Sequence, residues 1–148
     1  MLVSFVENLR ERGHDLYFSG AVSEEEVVAA EQGLQLGFPA DYREFLLRWG
    51  CGNIDSVEIF GLGVEPVGVP SVIWLTTRLR DKYGLPDHVV PIEDLGDGAY
   101  AVLTTLQSEY YAYTSGVVAL WTPNAEGLQK LATSFTDYLV DKFGETRG

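Results

Sequence analysis

Hydrophobic positions three and four residues apart mark three helices in the first third of the chain. From Leu2 to Arg12, Phe5, Val6 and Leu9 share one side of a short helix. The second helix has a sharper start. Ser23 and Glu26 fit the S-x-x-E capping box, in which each side chain satisfies a backbone amide at the other's position. Glu24 and Glu25 also favour the positive end of the helix dipole, and the helix should run to about Gln32 or Gly33. Phe38-Pro39 opens the third helix, Ala40 to Trp49. There Tyr42, Phe45, Leu46 and Trp49 define one buried face, and Gly50 is the C-cap.

After Asn53 the period shortens to two. Val57-Glu-Ile-Phe60 alternates as a strand and stops at Gly61. Pro70 to Tyr83 predicts a further helix, with Arg78, Arg80 and Lys82 toward its negative end and Gly84 beyond it. Val89 to Ile92, Ala99 to Thr105 and Val117 to Trp121 follow as strands, the first two joined by a Gly96-Asp97-Gly98 turn. A closing helix from Ser134 to Phe143 turns Phe135, Tyr138 and Leu139 inward and ends at Gly144. Helices first, then strands, then a helix is the order of an α+β domain with a mainly antiparallel sheet. No repeat, linker or low-complexity tract interrupts it, and 148 residues suffice for one core, so residues 1–148 read as a single domain.

Composition narrows the function classes. With 46% hydrophobic and 12% aromatic residues, disorder through charge and apolar poverty is excluded. The 22 acidic side chains against 10 basic ones leave a net charge of −12. A chain this acidic repels phosphate backbones, which argues against nucleic acid and anionic membranes as partners. It favours fast, steered association with a basic protein, although a negative surface also serves solubility alone. The start, Met1-Leu-Val-Ser-Phe-Val6, lacks the basic region of a signal peptide, and no apolar stretch has the length of a membrane span. The expectation is a cytoplasmic protein.

Reactive chemistry is sparse. Cys51 is the single cysteine, so it has no disulfide partner, and its place after a helix C-terminus opposes the thiolate. His14 and His88 are the two histidines, and neither lies in a recognisable motif. No G-x-S-x-G, H-x-x-x-H, C-x-x-C or acidic calcium loop is present. Gly61-Leu-Gly63 lacks the third glycine of a dinucleotide loop, and Gly96-Asp-Gly98 is flanked by Glu93 and Asp94. We therefore expect no catalytic residue, metal or cofactor. A hydrolase using two of the many carboxylates is the enzymatic alternative.

Two features suit binding. Between Lys82 and Lys130 there is no Lys or Arg, while Asp87, Glu93, Asp94, Asp97, Glu109 and Glu126 fall there. Ten acids against three bases give −7 from Trp49 to Gln129, whereas Lys130 to Gly148 is neutral. Second, Glu109-Tyr-Tyr-Ala-Tyr113 sets three tyrosines beside a negative charge, and tyrosine is enriched at interface hot spots. The plainer readings are tyrosines capping the core and acids solvated in loops. The candidate protein-binding residues are Asp55, Glu58, Asp94, Asp97 and Glu109 for charge, with Tyr110, Tyr111 and Tyr113 as anchors.

Glu31, Leu36-Gly-Phe-Pro-Ala-Asp-Tyr42, Phe45-Leu46 and Trp49-Gly-Cys-Gly52 together resemble the signature of the SUKH superfamily. Ile59-Phe-Gly-Leu62, Val90-Pro-Ile92, Leu95-Gly-Asp-Gly98, Val117-Val118 with Trp121, and Ser134-Phe135 with Tyr138-Leu139 follow in the family's order. The resemblance covers about Val22 to Leu139. Cys51 stands where the family often has glycine, and Phe38 replaces the usual leucine before Pro39. The resemblance implies a protein-binding α+β domain rather than an enzyme. Its members include a fungal cell-wall synthesis regulator and bacterial immunity proteins that neutralise cognate toxins, often nucleases. The functions implied are thus binding of a basic toxin or, alternatively, regulatory scaffolding. The signature residues themselves read as scaffold: Pro39 starts a helix, Tyr42, Phe45 and Leu46 pack it, and Gly50 with Gly52 turns the chain.

Overall fold

A computed structural model describes residues 1–64, 71–105, 116–124 and 127–144. These form α1 (Leu2–Glu11), β1 (Leu16–Phe18), α2 (Glu24–Leu34), α3 (Ala40–Trp49), β2 (Gly52–Ile54), β3 (Val57–Ile59), α4 (Val72–Tyr83), β4 (Val89–Gly96), β5 (Ala99–Thr104), β6 (Val118–Trp121), β7 (Gln129–Ala132) and α5 (Phe135–Phe143). The α+β reading holds. The strands make two antiparallel sheets, β1-β2-β3 and β4-β5-β6-β7, rather than one. A hydrogen bond joins them where the Phe60 amide donates to the Ile92 carbonyl at 2.9 Å. The helices do not all precede the strands: β1 follows α1 and pairs with β2 across the intervening α2 and α3.

The helix signals act as read. Ser23 and Glu26 make the reciprocal capping box. The helix passes Gly33 because Val27, Ala30 and Leu34 form one buried stripe, and it ends on Gln35 in the left-handed region at φ 61°. On α3, Tyr42, Phe45 and Leu46 are buried, but Trp49 is only half-buried. The last turn of α3 is where the helix leaves the core, and Trp49 rests against Phe18 at 5.7 Å between ring centroids.

The centre of the core is aromatic. Tyr42 meets Phe135 at 5.0 Å and Phe38 at 5.4 Å, both edge-on, the favoured geometry for rings with negative faces and positive edges. The Tyr42 hydroxyl donates to the Phe60 carbonyl at 2.7 Å, beside the junction of the two sheets. Its complete burial pushes its pKa far up, so it remains a neutral donor. Asp41 ties α3 to α5 by accepting from the Thr136 amide at 2.9 Å and its hydroxyl at 2.8 Å. Glu31, the first residue of the family resemblance, accepts from the Phe38 amide at 2.8 Å and pairs with Arg43. It braces the α2–α3 turn, so its role is architectural.

Glu93 departs from the reading of the acids as solvated loop charges. Its carboxylate is buried on β4, 2.5 Å from the Tyr138 hydroxyl and 3.3 Å from Lys142 Nζ. Burial first, and the adjoining carboxylate second, push the Tyr138 hydroxyl up, which keeps it a donor. Removing Lys142 would leave a buried carboxylate with one neutral donor. We expect Lys142→Ala to cost about 2 kcal/mol, less than a fully buried pair because the lysine is partly solvated. Urea unfolding of Lys142→Ala beside the double variant Lys142→Ala/Glu93→Gln checks this; the second change should recover part of the loss.

Candidate protein-binding surface

The small sheet has one buried and one solvent face, as period-two alternation requires. Leu16, Phe18, Ile54 and Ile59 pack inward, Ile54 and Ile59 completely. Tyr17, Asn53 and Glu58 alternate with them and stand in one cross-strand row, Tyr17 opposite Asn53 and Asn53 opposite Glu58. Tyr17 is 75% exposed, an unusual degree for a large aromatic side chain. It lies on β1, the free edge of the sheet. A strand as short as Leu16-Tyr-Phe18 carries almost no periodic signal in the sequence.

Asp55 forms the β2–β3 turn at φ 54°. Its carboxylate lies 2.7 Å from His14 Nδ1 and accepts from the Asp15 amide at 3.0 Å, while its own amide donates to the Asp15 carbonyl at 2.7 Å. This clamp fastens the α1–β1 loop to the hairpin. The His14 hydrogen bond, then the Asp15 amide, hold the Asp55 carboxyl below its ordinary value of 3.8. Because the folded pKa is depressed, the stability contribution is present above that ordinary value and disappears as pH falls through the lowered one. Asp55→Asn should therefore show a flatter acid limb than the wild type below about pH 4. Urea midpoints at a series of acidic pH values read this difference.

Cys51 lies beneath this sheet, 1% exposed, with Sγ 3.4 Å from Ser19 Oγ. Burial pushes its thiol up, so its setting is that of a packing residue and not an activated nucleophile. Among the described residues, no three His, Cys, Asp or Glu side chains are grouped to hold a metal ion, and no helix is long and apolar enough to cross a membrane.

The remaining candidates separate. Asp94 and Asp97 are exposed at the tip of the β4–β5 hairpin, where Asp97 takes φ 54°. Asp94 stands opposite Tyr100, which in turn stands opposite Trp121. Tyr100 is half-buried, and burial followed by the Asp94 charge raises its hydroxyl. Glu109, Tyr110, Tyr111 and Tyr113 lie outside the described residues, as does Glu126. The connection that carries the three tyrosines leaves β5 after Thr104 and rejoins at Gly116, whose amide donates back to Thr104. Asp55 and Glu58 thus share a surface with Tyr17 on the small sheet, while Asp94 and Asp97 occupy the large one.

The described residues form a small α+β domain with Asp55 and Glu58 on one sheet and Asp94 and Asp97 at a hairpin tip of the other. A family model described as SMI1-KNR4 cell-wall (SUKH_5) matches residues 3–144. The chain belongs to the SUKH family. It is also similar to the crystal structure of a protein from Pseudomonas syringae pv. tomato, at 21% identity and a TM-score of 0.69. That match covers 95% of this chain and 96% of the other, and the likeness is one of fold.

Proposed function

We propose that the chain is a non-enzymatic protein-binding domain of the immunity type, which neutralises a toxin domain by covering a basic surface on it. The observation that carries this reading is the Tyr17–Asn53–Glu58 row, with Asp15 and Asp55 at its margin. It combines an exposed aromatic anchor with the carboxylates of Asp15 and Glu58, a pairing that gives an interface both a hot spot and a steering field. A nuclease is a fitting target because a nucleic-acid-binding surface is basic. The cell-wall description of the family favours a second reading, a regulatory scaffold for a cellular protein.

Genomic context and co-expression separate the two. For immunity, the gene stands beside one for a large secreted protein, and co-expression of the chain with that protein's C-terminal domain restores growth and yields a stable complex. Growth arrest despite co-expression, or absence of a complex, overturns the immunity reading.

A further inference from the structure

Among the described residues β1 pairs with β2 alone, and no strand lies along its other side. The Asp55 amide donates to the Asp15 carbonyl and the Ser19 amide to the Cys51 carbonyl, so the ladder extends one residue beyond β1 at each end. Hydrogen-bonded pairs alternate along an antiparallel ladder, which makes Asp15, Tyr17 and Ser19 the residues bonded toward β2. The amides and carbonyls of Leu16 and Phe18 therefore point outward, and among the described residues they meet no hydrogen-bonding partner. Asp15 and Tyr17 alternate with them and are both exposed. The other charged side chains of this sheet and its β2–β3 turn, Asp55 and Glu58, are acidic too, and residues 13–20 and 49–61 contain no Lys or Arg. β7 is also an edge, but its register skips Leu131, and such a bulge hinders the addition of a strand.

We propose that β1 is the docking edge for an extended, basic segment of the partner protein, which adds to the small sheet as a further strand. The groups left open by Leu16 and Phe18 are the complement of a strand backbone and of no other element. Side chains then select the strand. The residues that come beside Asp15 and Tyr17 are two apart on the added segment and share its solvent face. The segment that fits carries Arg or Lys two positions from a β-branched or aromatic residue. A second copy fits worse, because it brings a charge of −12 against −12 and offers Asp15 no cation. The proposal rests on the protein-binding reading of the Tyr17 face and names the form of the partner that covers it.

Random peptides of about a dozen residues, displayed on phage, can be selected on the full chain, and the tightest binders remade with an N-methyl group at each residue in turn. N-methylation removes one amide donor, so affinity should fall about tenfold or more at alternate residues and little between them, the period a ladder imposes. Selected peptides should carry Arg or Lys two positions from Val, Ile, Thr or an aromatic residue. Their affinity should fall about tenfold for Tyr17→Ala and several-fold for Asp15→Asn. Thermal unfolding should find both variants folded, since Tyr17 is exposed and Asp15 joins the hairpin through its backbone. Peptides that tolerate N-methylation throughout, selection of acidic peptides, or no enrichment overturns strand addition. So does an alternating pattern that Tyr17→Ala leaves unchanged, which places the strand at β7, or dimerisation lost in Tyr17→Ala, which gives the edge to a second copy. A toxin complex that survives these failures rejects strand addition alone, whereas basic strands bound at β1 without any toxin complex reject the immunity reading alone.

Discussion

Gly52→Ala is expected to destabilise the protein by more than about 3 kcal/mol, the largest effect of any glycine substitution we anticipate. A Cβ at this position would lie 2.0 Å from the Tyr17 carbonyl oxygen and 2.8 Å from the Phe18 Cα. Both obstacles are backbone, so no side-chain rotation relieves them. Phe18 and Gly52 are register partners, and β1 would have to leave the sheet for the methyl group to fit. Its departure would uncover Ile54, which is fully buried, and would carry Tyr17 away from Asn53 and Glu58. Stability and partner binding should therefore fail together. Gly33→Ala is the opposite case. Nothing lies within 4 Å of its Cβ, and the residue is helical. It should stabilise by up to about 1 kcal/mol by restricting the unfolded chain. Urea unfolding of the two variants reads both signs, and a neutral Gly52→Ala would contradict the β1–β2 pairing.

The second large effect is kinetic. Asp15→Lys/Glu58→Lys reverses two charges at the margin and in the row of the Tyr17 face. We expect association with a basic partner to slow by about 10- to 100-fold at low ionic strength. The difference should shrink in high salt, where the screening length falls to a few ångströms. Asp55 is a poorer site for this test because it also fastens His14 and Asp15, so its replacement alters the fold as well as the field. Tyr17→Ala should leave association rate and salt dependence nearly intact and speed dissociation, as loss of a contact anchor does. Stopped-flow association and dissociation rates distinguish the two roles. Equal association rates for the charge-reversed and native proteins at low salt would remove steering from the account.

Helices were legible because their signals are local. Ser23 with Glu26, Pro39 before a four-residue aromatic and aliphatic stripe, and Gly84 or Gly144 after another each act within one or two turns. Strands that pair over short connections, β4 with β5 above all, were legible through alternation and the Gly96–Gly98 turn. Three strands escaped for physical reasons. β1 and β2 have three residues each, and β1 becomes a strand by pairing Leu16 with Ile54, far along the chain. β7 shows three exposed residues and one buried residue, without alternation, because a bulge interrupts it.

The binding face followed the same division. Asp55 and Glu58 could be chosen by charge, but their companion Tyr17 could not, since its exposure depends on that long-range pairing. Charge counting also treated Glu93 like Asp94. One step along β4 separates a carboxylate bound to Tyr138 and Lys142 from one facing water, and the pleat, not composition, decides which is which.

Hydrogen exchange of the complex with the toxin domain tests the central claim most directly. β1 is a free edge, so its outward amides exchange unless a partner covers them. Exchange should slow across Leu16–Phe18 and from Asp55 to Glu58 on binding. Unchanged exchange there, with protection confined to α4 or to the outer side of α3, would contradict it.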